Sequence, residues 1–312
     1  MQKRAMGWAL ALTVGVLGAL ALSTGGHVVA LAPSPTPTPI PEPVQGALDE
    51  TALAEIDLMA LPEVQEISEA ALGLYARALA AGRDAQMFIK VGDCMTANPY
   101  FLLPIGAGDY DLGEYADLQR VVDFFSGGEA DAFARESQAA AGGFNAASVV
   151  DSLWANPQFC EQGETPLACE IRLANPSIAL IMFGTNDVQY LNAEQFDYFL
   201  RQVVVQTMRA DVLPILSTFP PRPEFPEQGQ LFNRIVAQVA QDYDVPLINL
   251  WRALEPLPHQ GVDPDDPTHL TTPAEGGACY FVGENLQSGF AVRNLLTLRA
   301  LDAVLTAAGA AE

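Results

Sequence analysis

Positive charge is scarce in this chain. Lys and Arg together number 15 against 38 Asp and Glu in 312 residues, a formal charge of −23. So acidic a surface repels nucleic-acid phosphates and anionic lipid headgroups, which sets nucleic-acid binding aside. The acidity identifies no substrate, and a solvated face that aids solubility accounts for it. Histidine is scarcer still, with only His27, His259 and His269. The four cysteines include no Cys-x-x-Cys pair, so a zinc site is the weaker reading of them. No internal repeat is visible. Half the residues are apolar and 17% are charged, enough for one ordinary core plus appendages.

The N-terminus holds one long uncharged run. Lys3 and Arg4 precede apolar residues from Ala5 to about Leu22, the pattern of a bacterial-type export signal or an N-terminal membrane anchor. The run is near the length that spans a bilayer, so an uncleaved anchor is open. Small residues around Ala21 and Ser23 suit cleavage; Ala30 and Ala32 also have the right spacing, but Pro33 would then follow the cut, which counts against that site. In either case the basic residues come first, and the remainder is expected outside the cell. Pro33 to Pro43 reads PSPTPTPIPEP, a polyproline II spacer. The expected organisation is a signal or anchor at 1–32, a Pro/Thr-rich linker at 33–47 and one domain at 48–312. Export also suits the cysteines. Cys160 and Cys169 bracket a polar loop and read as a local disulfide.

Within the domain, short apolar runs alternate with helical periodicity. Strands are expected at 87–91, 178–183, 212–217 and 245–250, each followed by turn or polar residues. Helices are expected at 61–81, 195–208 and 290–307. A further helix face is formed by Leu231, Ile235, Val239 and Tyr243. Largely apolar strands between helices imply a mainly parallel sheet covered on both faces, a three-layer α/β/α sandwich. In such sheets, sites gather beyond the carboxyl ends of the strands.

Three segments occupy those ends. Gly92-Asp93-Cys94-Met95-Thr96 follows the first strand and Gly184-Thr185-Asn186-Asp187 the second. Asp266-Pro267-Thr268-His269 follows the fourth. Each is a weak motif alone, but their order and placement make the chain resemble the SGNH (GDSL-like) hydrolases from about Met87 to Leu305. That family carries Gly-Asp-Ser-x-Thr, then Gly-x-Asn-Asp, then Asp-x-x-His. A further glycine block of the family has its nearest match at Gly143-Phe144-Asn145, with Gly142 competing. The resemblance implies an SGNH-like, flavodoxin-like arrangement and ester hydrolysis or acyl transfer without metal or organic cofactor. The substrate would be a small-molecule or polymer-linked ester, carbohydrate or lipid among the options. It also implies roles. His269 would be the base, and Asp266 would hold its tautomer. The backbone N–H groups of Cys94 and Gly143 and the Asn186 amide would form the oxyanion hole. Asp93 and Asp187 would fix loops. Asp263 and Asp265 lack the spacing of Asp266, and His259 reads as solvent-facing.

Position 94 departs from the family, with cysteine where serine is expected. Three readings stay open. Cys94 is a working nucleophile, its thiol pKa lowered by a following helix N-terminus and a histidinium. Or Cys94 is oxidised onto Cys279, leaving an inactive envelope- or carbohydrate-binding module or a redox-gated enzyme. Or Cys94 is free and inert. Oligomeric state is not legible.

Overall fold

The computed structural model describes residues 48–274 and 277–309. The expected signal or anchor and the Pro/Thr-rich linker lie outside the described residues. Among the described residues, no helix is long and apolar enough to cross a membrane.

Six longer helices and four strands build the domain: α1 Glu69–Ala80, β1 Asp84–Gly92, α2 Gln119–Ser126, α3 Pro166–Ala174, β2 Pro176–Met182, α4 Ala193–Arg209, β3 Leu213–Ser217, α5 Pro226–Asp242, β4 Leu247–Ile248 and α6 Gly289–Ala307. All strand pairs are parallel, in the order β1-β2-β3-β4. β2 and β3 are buried at every residue, which is why they read as unbroken apolar runs. On the open side of β1, Gly92 forms a parallel bridge with Ala140. Gly92 N–H donates to Ala139 O at 3.1 Å, and Ala141 N–H donates to Gly92 O at 3.3 Å. Counted as a strand, this segment gives the chain order 2-1-3-4-5, the flavodoxin-like pattern. Its ligand crevice lies at the switch point, between the ends of β1 and β2.

α2 packs on α6, and α4 packs on α5. The core is aromatic near β1, where Phe88 meets Phe125 and Phe133 edge-on at centroid distances of 5.3 and 5.1 Å. Between α4 and α5, Phe196 and Phe232 stack at 4.4 Å.

Three sequence expectations need correction. The first helix starts at Glu69, not near Leu61, because the Ser68 hydroxyl caps it by accepting from Ala71 N–H at 3.1 Å. The preceding residues run along β4 instead: Gln65 N–H donates to Leu247 O at 3.1 Å and Asn249 N–H to Glu63 O at 2.7 Å. The fourth strand shrinks to two residues, since Pro246 has no N–H to give a ladder and Asn249 caps a helical turn at Leu250–Leu254. Cys94 is not followed by a helix. The chain makes one tight turn, with Thr96 and Ala97 N–H both donating to Asp93 O at 3.0 Å.

Candidate active site

Two motif glycines bring the strand ends close together. A Cβ on Gly92 would lie 2.3 Å from Thr96 Oγ1 and 2.5 Å from Met182 O. One on Gly184, at φ +134°, would lie 2.0 Å from the Phe219 ring. Only a residue without a Cβ fits at either place.

Asp93 and Asp187, expected to fix loops, are both fully buried. Asp187 accepts from Gly184 N–H and from Ala146 N–H, each at 2.8 Å. Asp93 accepts from Met95 N–H at 3.0 Å. Burial pushes the Asp93 carboxyl up to about 6 and that of Asp187 up to about 7, with the charge of Asp93 adding to the latter. Asn186 acts on the same turn as Asp187. Its side-chain Nδ2 donates to Phe144 O at 2.8 Å. The 184–187 block therefore grips the turn at Gly143 through two side chains. Gly143 itself is exposed at φ +82°, with open space where a Cβ would stand. Gly142 has no positive φ, which separates the two competing glycines. The short helix Asp187–Tyr190 receives no side-chain cap from Asn186, so capping does not account for that amide.

The Asp266–His269 pair is formed. His269 Nδ1 lies 2.7 Å from Asp266 Oδ2. A carboxylate only accepts, so Nδ1 carries the hydrogen and Nε2 is left as the acceptor. Thr268, inconspicuous in the sequence, adds a second support. Its hydroxyl donates to Asp266 Oδ1 at 2.5 Å and lies 3.1 Å from His269 Nδ1. These hydrogen bonds, that of Thr268 foremost, hold the Asp266 carboxyl below its ordinary range. His259 is exposed, at φ +52°.

Cys94 is half-buried and, like Cys279, a free thiol. The expected alternative of a Cys94–Cys279 disulfide is thus not formed. Cys279 is instead buried against Asn294, whose Nδ2 lies 3.2 Å from its sulfur. The other pair, Cys160 and Cys169, is bonded as expected. The expected lowering of the Cys94 pKa is reversed. Burial, the charge of Asp93 and that of Asp266 push the thiol up to about 12. The turn supplies no helix N-terminus to offset this, and the charges of Asp93 and Asp266 both oppose ionisation of the thiol. The field of Asp266 reaches Cys94 and that of His269 reaches Asp93, so the two segments share one neighbourhood.

A buried arginine also belongs to the site, although no motif announces it. Arg293, on α6, donates through Nη1 to Met95 O at 2.6 Å and through Nη2 to Thr96 Oγ1 at 2.9 Å. Its guanidinium lies 3.7 Å from the Phe101 ring centroid. Burial lowers its pKa to about 9. It bolts the turn carrying Cys94 to the C-terminal helix. A signal existed in that helix: Arg293, Asn294 and Thr297 interrupt an otherwise apolar stretch, and all three are buried. Arg222 does similar work at the second strand end, donating to Thr185 O while buried.

Residues 130–274 match the model of the GDSL-like lipase/acylhydrolase family. Over this region, somewhat under half of its length, the chain is similar to that family of lipases and acylhydrolases. The matched stretch holds Gly143, Asn186, Asp187, Asp266 and His269, and leaves Cys94 outside. Among solved structures, the chain is similar to a psychrotrophic esterase from Pseudoalteromonas sp., at 13% identity and a TM-score of 0.45, covering 71% of this chain and 99% of that one. It is also similar to a lipase/acylhydrolase from Enterococcus faecalis, at 17% identity and a TM-score of 0.43, over 68% and 93% of the respective chains. An acetylxylan esterase from Geobacillus stearothermophilus matches at 16% identity and a TM-score of 0.43, over 69% and 93%. No curated protein matches the chain significantly in sequence.

Proposed function

We propose that the protein cleaves or transfers an ester-linked acyl group with Cys94 as nucleophile, His269 as base and Asp266 as its orienting partner. The observation that carries this reading is the 2.7 Å His269–Asp266 contact, which leaves Nε2 free to accept a proton. The thiol is neutral at physiological pH, so attack and deprotonation are concerted. The Cys94 sulfur bonds to the ester carbonyl carbon while its proton passes to His269 Nε2. The carbonyl π pair moves onto oxygen and is met by the N–H groups of Cys94 and Gly143 and the second N–H of Asn186. Collapse breaks the C–O bond, and His269 returns the proton to the departing alkoxide. Water or another alcohol then opens the thioester by the same route and restores the thiol.

The raised thiol pKa favours a second reading, in which the site is chemically silent and the domain binds an envelope or carbohydrate ligand. Kinetics with short-chain phenyl esters and thioesters separate the two. Under the enzyme reading, Cys94→Ala and His269→Ala each lower kcat about a thousandfold or more. If both variants match the parent, the enzyme reading fails. If Cys94→Ser creates activity where the parent has none, the natural site is silent.

The protein is further proposed to act outside the cell, on a polymer-linked or small-molecule ester, held by its N-terminal segment. Fractionation of producing cells tests this, and a cytosolic protein would reject it.

A further inference from the structure

A cavity of about 230 Å³ opens beside the Cys94 turn. One wall is Thr96 and Ala97, two and three residues beyond Cys94. The opposite wall is Glu136 to Gln138 and Ala140, the segment that runs along β1 and leads within three residues into Gly143. Both backbone donors expected to face the oxyanion thus lie on continuations of the cavity's walls.

Lys90 of β1 also lines it. This lysine is 4% exposed, which for an ammonium demands compensation. Its one hydrogen bond goes to a neutral group, Phe133 O, at 3.1 Å. Among the described residues, no carboxylate stands within ion-pair distance of it. The carboxylates whose fields reach it are engaged or exposed. Both Glu170 oxygens are taken, by Arg135 Nε at 3.0 Å and by Gln138 N–H at 2.8 Å. Asp131 Oδ1 accepts from Phe133 N–H at 2.8 Å and Ala134 N–H at 3.2 Å. Glu136 is exposed. Burial lowers the Lys90 ammonium to about 8, with Glu170 the largest opposing influence, so it is mostly charged at neutral pH. A cavity wall therefore carries a cation with donors to spare and no directly bound anion, in a protein of net charge −23.

We propose that this cavity is a subsite for a carboxylate on the substrate, received by the Lys90 ammonium. The inference rests on the esterase reading for its place in turnover, and it narrows the substrate class to esters that also carry a carboxylate. The cavity's size suits a short acid rather than a fatty chain.

Calorimetry of the full chain with succinate, and with neutral succinamide as control, tests it without requiring catalysis. Succinate is expected to bind, and succinamide about tenfold or more weakly, the ordinary worth of a charged hydrogen bond. Lys90→Met should weaken succinate by a similar factor. Ala97→Trp, which fills the mouth from an exposed position and spares Lys90, should do the same if Lys90→Met does not fold. Cys94→Ala should bind succinate as the parent does. No binding, equal binding of the neutral control, or unchanged binding in a folded Lys90→Met protein overturns the proposal. Turnover separates it from the esterase reading. Succinate binding that depends on Lys90, with no ester cleaved, keeps the subsite and sinks the esterase. Cleavage of phenyl butyrate without succinate binding does the reverse. With both in place, the monophenyl ester of succinic acid against O-acetylglycolate shows which half of the ester bears the carboxylate.

Discussion

Asp93 and Asp187 have carboxyls lifted from an ordinary value of 3.8 to about 6 and about 7. A group raised on folding binds its proton in the native state where the unfolded chain has already released it. The resulting stabilisation is complete below about pH 4 and is lost as pH rises through the folded values. Melting temperature should therefore fall between about pH 4 and pH 7, and Asp187→Asn should flatten that slope, a change read by calorimetry across the range. Gly184 is a second point of dependence on one residue. Gly184→Ala would drive a methyl into the Phe219 ring at a φ of +134° and should cost about 3 kcal/mol in chemical denaturation. Arg293→Met leaves Met95 O and Thr96 without their buried partner. It should destabilise by about 3 kcal/mol and lower turnover more than Lys90→Met does on a neutral ester, because Arg293 seats the turn that carries Cys94.

At the scale of elements, the segment between Gly143 and α3 is held by more than packing. Cys160–Cys169 closes it. Arg172 grips Glu164 at 2.6 and 2.8 Å and donates to Phe159 O at 3.1 Å. Trp154 stands edge-on to Phe144 at 5.9 Å, one residue from Gly143. Replacing both cysteines by alanine should cost about 2–3 kcal/mol, the worth of a short closed loop, seen as a lower urea midpoint. Asp187 and Asn186 hold the Gly143 turn from the other side, so turnover should fall less than stability. The α6 helix acts as a second fastening element, with Asn294 donating to Tyr100 O and Ala278 O at 2.8 and 2.9 Å.

Over the whole molecule, charge acts in a way that no single contact contains. A formal −23 with an isoelectric point near 4.2 repels itself at neutral pH. Adding about 0.5 M sodium chloride at pH 7.5 shortens the Debye length to about 4 Å and should raise the melting temperature. The Asp187→Asn protein should respond as the parent does, since buried carboxylates are screened little. A melting temperature indifferent to salt would show that the acidic residues are spaced widely enough to be harmless.

Sequence by itself determined the fold class and which segments stand beyond the strand ends. Buried parallel strands must be apolar on both faces, so β1, β2 and β3 were legible as runs. A motif after a strand has one place to go in such a sheet, so Asn186, Asp187, Asp266 and His269 could be named. Gly143 could be ranked against Gly142 only by backbone angle, which composition does not encode. Tertiary structure decided the state of the cysteines, because pairing depends on where side chains point. It also decided the sign of the Cys94 pKa shift, because that depends first on burial and then on neighbouring charge, with Asp93 and Asp266 adding to the effect of burial. Lys90 read as one polar residue in an apolar strand, and Arg293 as one charge in a helix. Each became a candidate for function only when distant segments, Glu136 to Ala140 for one and the Cys94 turn for the other, were folded against it.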